Sequence, residues 1–287
     1  MKISIITICY NRVSTIESAI QSVLSQNYQA IEYIVVDGGS TDGTQAVIEK
    51  YRSEISHYIS EPDKGMYDAL NKAIKMATGE LVMILHSDDE FYNEKILQLY
   101  ADEYLKSGAD VLYANGVYVK SKEQRAKNKE QRAKNQEQRA KNKEQRTKNQ
   151  EFRGKRQEMI KRIYNAKPFK SWYLYFGWIP LHTTIAVKKD VFDRFGLYKD
   201  HYRIASDYEI SLRWFSNASL KKHFINARVV KMKLGGKSTS ASLQKKKSTE
   251  DLDIIKQYKL WGIITLAFKI ARKIPQYLLP RITHHPN

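Results

Sequence analysis

The sequence predicts an α/β fold: a mostly parallel, Rossmann-like sheet with helices on both faces. Two observations predict it. Short apolar runs alternate with segments of helical periodicity from Ile3 to Leu85. The ends of these runs also carry carboxylates (Asp37, Asp63 and the Asp88-Asp89 pair), and in such sheets ligands bind beyond the carboxyl ends of the strands.

The elements follow in order. Residues 3–9 form an apolar first strand. Thr15 to Gln26 places Ile16, Ala19, Ile20, Val23 and Leu24 at i, i+3, i+4, i+7 and i+8, one face of a helix, with Ser14 as its expected N-cap. Ile31 to Val36 is a second strand, ending at Asp37-Gly38-Gly39-Ser40. A helix is expected from Thr44 to Tyr51, a short strand near His57 to Ser60, and a helix from Tyr67 to Thr78 closed by Gly79. Leu81 to Leu85 is a strand running into Ser87-Asp88-Asp89. Further on come an aromatic-rich stretch, Trp172 to Trp178, and a strand from Pro180 to Val187. A short helix, Asp190 to Phe195, is closed by Gly196. Ala205-Ser206-Asp207-Tyr208-Glu209 then opens an amphipathic helix through Trp214, and a strand from Ala227 ends near Gly235-Gly236.

Charge divides the chain. Of the formal net charge of +18, residues 122–156 carry +9 and residues 245–287 carry +6, which leaves a nearly balanced body. The first segment repeats KEQRAKN-like heptads. One weak apolar position per heptad is too few for a coiled coil, whereas Glu four residues before Lys in each complete repeat favours a solvated helix. Its four complete heptads interleave no stacking aromatics, so single-strand nucleic-acid recognition lacks its usual platform. The second segment mixes aliphatic and aromatic residues from Ile254 to Leu278 with Lys256, Lys259, Lys269, Arg272 and Lys273. It reads as an interfacial helix on an anionic membrane or as a helix packed on the domain. One cysteine excludes a disulfide scaffold and suits a reducing compartment. The apolar run at the N-terminus is too short for a signal peptide, and no stretch reaches the ~18 apolar residues of a spanning helix. A cytoplasmic protein, peripheral on the inner face of the plasma membrane, is expected.

Two adjacent carboxylates at a strand end repel unless they share a cation, and a hard divalent ion bound partly by phosphate suits that place. The alternative for Asp88-Asp89 is a loop capping the next helix. The turn from Asp37 to Thr44 matches neither a GxGxxG nor a Walker motif, so a dinucleotide or P-loop enzyme is unsupported.

The ordered set Ser4-Ile5-Ile6-Thr7-Ile8-Cys9-Tyr10-Asn11, Val36 to Thr44, Glu61-Pro62-Asp63-Lys64-Gly65, Ala77-Thr78-Gly79-Glu80 and Ser87-Asp88-Asp89 resembles the family 2 glycosyltransferases of the GT-A fold. Within that family the chain is most similar to bacterial non-processive enzymes of surface-polysaccharide synthesis. The resemblance covers about residues 1–118 and 165–240. It implies an inverting transfer from a nucleotide-sugar to a glycan or lipid-linked glycan acceptor. It further implies that Asp89 binds Mn²⁺ or Mg²⁺ with Asp88, which also reaches the ribose or sugar. Thr7, Tyr10, Asp37 and Asp63 would line the base and ribose pocket, with Lys64 nearby and His182 close to the donor sugar or acceptor. Asp207 would be the general base, with Glu209 as its rival and a helix N-cap as its structural alternative. Many relatives carry a second acidic residue where this chain has Gly38. A UDP-sugar is the first expectation, and GDP- and dTDP-sugars stay open. Gly235-Gly236-Lys237-Ser238 resembles a segment that closes over the diphosphate. Arg213-Trp214 lacks the Gln of processive synthases, Ile210 standing in its place.

The expected organisation is therefore a nucleotide-sugar-binding half (1–121), the heptad insertion (122–156), an acceptor and catalytic half (157–244) and a basic amphipathic tail (245–287). The rival expectation is a non-catalytic protein binding nucleic acid or an anionic surface through the repeat and tail. A nucleotidyltransferase-like enzyme on a related fold is a third.

Overall fold

The computed structural model describes residues 1–119, 160–233 and 241–272. The heptad repeat and the segment Gly235-Gly236-Lys237-Ser238 lie outside the described residues.

Nine described strands form one mixed sheet. The N-terminal half is β1 (Ile3–Cys9), α1 (Ile16–Leu24), β2 (Ile31–Asp37), α2 (Thr44–Glu49), β3 (His57–Ser60), α3 (Met66–Met76) and β4 (Leu81–Ile84). The chain continues through β5 (Asp89–Phe91), α4 (Ile96–Ser107), β6 (Val111–Val119), β7 (Ile160–Tyr164), β8 (Ala186–Lys188), α5 (Lys189–Phe195), α6 (Ser206–Ser216) and β9 (Lys222–Lys233). It ends in α7 (Ala241–Gln257) and α8 (Ile263–Ala271). Spatially the order is β3-β2-β1-β4-β8-β6-β9-β5, with β7 beside β6. The first four strands are all parallel. β8 joins them antiparallel to β4, and β6 and β9 again run parallel.

Each face of the sheet carries its own apolar core. Ile6, Ile8, Ile34 and Val36 pack under α3 with the helices of the second half, through Tyr67, Leu70, Ile74, Tyr208 and Trp214. Ile3, Ile5, Tyr33 and Val35 pack under α1 and α4, through Ile16, Ile20, Ile96 and Tyr100. Successive strand residues point to opposite faces, so burial on both faces makes β1 and β2 apolar throughout except for paired polar groups. Ser4 Oγ, for instance, donates to Glu32 across two strands at 2.5 Å.

Several expected details are corrected. Thr15, not Ser14, precedes α1, and it makes no side-chain capping bond. Gly79 does not close α3, which ends at Met76 with Ala77 extended. Gly79 is instead required by close approach, because a Cβ there would lie 2.5 Å from Ser4 Oγ and 2.7 Å from its backbone N. The strand expected from Pro180 is a 3-10 turn at His182–Thr184, and pairing starts only at Ala186. β9 begins at Lys222, five residues before the expected Ala227.

The tail is two helices rather than one. Ile254 and Ile255 of α7 are fully buried in the core beneath α3 and α6. Lys269 of α8 turns inward, 2.7 Å from Asp251, with its ammonium 3.0 Å from the centre of the Tyr208 ring. Burial lowers the Lys269 pKa to about 8, against the opposing pull of Asp251. Gly177, at φ +63, lets α8 come this close, since a Cβ there would lie 2.6 Å from that of Lys269.

Candidate active site

Two side-chain groups meet at the carboxyl ends of β1, β2 and β4. The first is built on the turns after β1 and β2. Asn11, at φ +54, donates its N–H to Ser40 Oγ (2.8 Å) and accepts from Thr41 N at its side-chain oxygen (2.9 Å). Arg12 N donates to Thr44 Oγ1 and Val13 N to Asp42. The loop 11–13 is thereby laced to the Gly-rich turn. Asp37 lies beneath it, fully buried. Its carboxylate accepts from Ser40 N (2.9 Å), Ser40 Oγ, Ser60 Oγ (2.7 Å) and Cys9 Sγ (3.5 Å). Burial pushes Asp37 upward, and these donors outweigh it, so its pKa lies below the usual carboxylate range. Cys9, buried against that charge, has its thiol pKa raised far out of reach of ionisation.

Thr7 is likewise buried, accepting from Tyr33 Oη at 3.1 Å. Thr7 and Asp37 are thus both enclosed by the fold and bonded within it, whereas Tyr10 is half exposed. Asp63 arrives from the turn after β3 and leans over Gly38. A Cβ at Gly38 would lie 2.5 Å from Asp63 Oδ2 and 3.5 Å from Tyr10. The carboxylate of Asp63 therefore fills the space into which a side chain at 38 would grow, and its other oxygen accepts from Gly65 N at 2.8 Å. Lys64 is exposed at the rim, its backbone N–H held by Asp68.

The second group centres on Asp207, in the first turn of α6. It is not the N-cap, a position taken by Ala205. The backbone N–H groups of Arg203, Ile204 and Ala205 donate to Glu250 of α7, so the tail fixes the loop that enters α6. Half-buried Asp207 accepts from Tyr208 N at 2.9 Å, and its carboxylate lies 3.4 Å from Tyr67 Oη, which donates to Ile204 O at 2.9 Å. Burial raises its pKa, but Lys247, His182, Lys269 and the Tyr208 N–H outweigh burial, so it lies below the ordinary value and Asp207 is ionised at neutral pH. His182 Nε2 lies 2.6 Å from Tyr198 Oη, and the Tyr198 ring stacks on Tyr67. Burial lowers the His182 pKa to about 4, so the ring is neutral.

Glu209, one helical step away, is committed elsewhere. It is fully buried, 3.0 Å from Lys199, paired with Arg213 and accepting from Tyr258 Oη at 2.9 Å.

His86 joins the groups. Its ring lies 6.1 Å from that of His182, and the carboxylates of Asp88 and Asp207 both act on it. Asp88 is half buried. Asp89 is buried and starts β5, paired with Met232 of β9, rather than sitting in an open loop. Burial, then Asp88 and Glu90, push its carboxyl well above the usual range against the pull of Lys233. Among the described residues no three His, Cys, Asp or Glu side chains cluster as a ready-made metal site.

The structure thus brings Tyr10 and Asp63 together over Gly38, and Asp88 with His182 and Asp207 through His86. Asn11, Ser40, Ser60, Tyr67, His86 and Tyr198 hold these groups together, contacts that no local sequence pattern announced.

Residues 4–168, more than half of the chain, match the model of Glycosyl transferase family 2. The chain belongs to that family. This glycosyltransferase is 37% identical over 114 residues to an Escherichia coli UDP-Glc:alpha-D-GlcNAc-diphosphoundecaprenol beta-1,3-glucosyltransferase, WfgD, the match covering 39% of this chain and 45% of that protein. It is 38% identical over 97 residues to the putative teichuronic acid biosynthesis glycosyltransferase TuaG of Bacillus subtilis, covering 33% of this chain and 38% of that protein. These matches span less than half of either relative's length. In fold it resembles S. aureus TarS 1-349 in complex with UDP-GlcNAc, with a TM-score of 0.64 and 19% identity over 96% of this chain and 73% of that one. It also resembles the Pyrobaculum calidifontis mannosyltransferase PcManGT in complex with GDP-Man and Mn2+ (TM-score 0.54, 14% identity, 98% and 76% covered). The GT-A expectation stands.

Proposed function

We propose that this enzyme transfers a sugar, with inversion, from a nucleotide-sugar to a lipid-linked glycan acceptor at a bacterial inner-membrane surface, in polysaccharide synthesis. The observation that carries the reading is Asp207. It is an ionised, half-buried carboxylate that shares His86 with Asp88 beyond the end of β4, while its neighbour Glu209 is locked into ion pairs. A UDP-sugar is favoured by the UDP-Glc and UDP-GlcNAc named for WfgD and TarS, and the diphosphoundecaprenol acceptor named for WfgD supports a lipid-linked one.

The donor base and ribose would lie against Tyr10 and Asp63, with Asp37 and Thr7 shaping the turn from below and Lys64 at the rim. The acceptor hydroxyl would approach Asp207. As its oxygen attacks C1, its proton passes to the Asp207 carboxylate. The C1–O bond to the diphosphate breaks with its electron pair on the departing nucleoside diphosphate, and attack from the opposite face inverts C1. Tyr67 orients Asp207. Neutral His182, held by Tyr198, offers a hydrogen bond to donor sugar or acceptor without adding charge.

Asp88 and Asp89 fit a hard divalent cation. The donor set is all oxygen, and the raised pKa of Asp89 reflects a buried carboxylate that a cation would relieve. Mn²⁺ or Mg²⁺ held there would neutralise charge on the leaving diphosphate. The test is transfer from UDP-, GDP- and dTDP-sugars with Mn²⁺, repeated with EDTA and with Asp89→Ala. Loss in both supports the reading. Full transfer in both removes the metal from it, and no turnover of any nucleotide-sugar by the unaltered protein removes the transferase.

A further inference from the structure

Helix α8 breaks the usual rule for a surface helix, which keeps its polar face outward. Its inner positions are Thr265, Leu266 and Lys269, and the Lys269 charge is spent on Asp251. Its outward positions are Ile263, Ile264, Ala267, Phe268, Ile270 and Ala271, with no polar residue among them. Ile263 is 71% exposed, Ile264 54%, Ile270 49% and Phe268 38%. Three half-exposed aromatic residues border this face: Trp172, Tyr175 and Trp261. They are continuous with it, because Tyr175 lies 5.2 Å from Trp261, and Phe176 lies 5.4 Å from Trp261, 4.8 Å from Phe268 and 5.7 Å from Trp172 between ring centres. Most of the exposed large apolar side chains among the described residues belong to this one patch.

Cations surround it. Lys167, Lys170, Lys256 and Lys259 are exposed, and Arg272 is half exposed. Beside the patch opens a pocket of about 360 Å³, walled by Trp172, Tyr173, Phe176 and Trp178 and edged by Lys167 and Arg272, with no carboxylate in its lining. The Lys167 ammonium stands 3.8 Å from the centre of the Tyr173 ring. Apolar side chains in the middle, Trp and Tyr at the border and cations outside is the pattern that inserts into the headgroup boundary of an anionic bilayer.

We propose that α8 and the 172–176 turn form a membrane-docking face that lies in the surface of an anionic phospholipid bilayer, with the Lys167–Arg272 pocket taking a lipid phosphate. This deepens and rests on the reading of a lipid-linked acceptor. Lys269, on the inner side of α8, covers the Tyr208 ring beside Asp207. The docked face is therefore one side chain away from the helix that carries the base.

The chain has four tryptophans, two of which, Trp178 and Trp214, are buried in the domain. The full-length protein is mixed with phosphatidylglycerol/phosphatidylcholine vesicles carrying brominated acyl chains, and with phosphatidylcholine vesicles alone. The proposal expects binding to the anionic vesicles with quenching of tryptophan emission, and loss of the quenching in Trp172→Phe/Trp261→Phe while binding persists. Ile263→Asp/Ile264→Asp should weaken vesicle binding at least ~10-fold and leave the melting temperature and vesicle-free nucleotide-sugar turnover unchanged. Binding without quenching would assign the contact to the tryptophan-free heptad repeat and overturn the proposal. Vesicle binding unaltered by the isoleucine pair would overturn it, as would a dimer in sedimentation that the same pair dissociates. Absence of nucleotide-sugar turnover in the unaltered protein would refute the transferase reading instead, and the vesicle result would stand on its own.

Discussion

Gly38→Ala should weaken donor binding through Asp63. The added methyl carbon would sit 2.5 Å from Asp63 Oδ2 and 3.2 Å from its Cγ. Restoring ordinary contact requires the carboxylate to withdraw by about 1 Å, a displacement that can cost ~100-fold when it misplaces a group binding the substrate. Gly38 is outside the left-handed region, so alanine adds no backbone strain and the fold should hold. The withdrawal also pulls on the 2.8 Å bond from Gly65 N to Asp63 Oδ1. If Asp63 makes one charge-assisted hydrogen bond to the donor, its loss is worth about 1.5–3 kcal/mol, or roughly 10–150-fold in Kd. The assay is calorimetric titration of the nucleoside diphosphate into four proteins: unaltered, Gly38→Ala, Asp63→Ala and the double variant. Because the methyl acts only by moving Asp63, the double variant should bind no worse than Asp63→Ala. Additive penalties, or a Gly38→Ala affinity within about twofold of the unaltered protein, would show that the methyl does not act through Asp63.

Glu209→Ala should lower stability by about 3–5 kcal/mol, because it strips a buried carboxylate from Arg213 and Lys199, while kcat per folded molecule survives. Unchanged urea stability with abolished turnover would instead make Glu209 the base. The Glu32 pKa is lowered to about 2: burial raises it, and bonds from Ser4 and Thr78 with the Lys2 charge more than offset that. Its contribution is fully present above the unfolded value near 4.5 and is lost as pH falls toward 2. Comparing urea midpoints at pH 6 and pH 3, Glu32→Gln should remove about 2 kcal/mol of the acid-induced loss; an unaltered pH dependence would contradict this.

Much of the N-terminal half was legible because a strand buried on both faces cannot hide. Ile3 to Cys9 and Ile31 to Val36 read directly as β1 and β2, and the acidic residues at their ends marked the site. Tertiary pairing was not legible. Asp89 reads as loop, yet Met232 on a distant strand pairs it into β5. Asp37 looked like a ligand contact, but the serines that occupy its carboxylate come from a turn three residues on and a strand 23 residues on. The direction of Lys269 depends on Asp251 across a helix break, so a cation counted toward lipid faces the core. The roles of Tyr67 and Tyr198 had no local signal, since each meets its partner only when α3 packs beside the entrance to α6.

If Asp207 takes the acceptor's proton, Asp207→Asn should show it in single-turnover transfer, with donor affinity and melting temperature measured on the same protein. A fall in the transfer rate of about 100- to 10,000-fold is expected, with donor affinity and melting temperature unchanged. Transfer at the unaltered rate would contradict it.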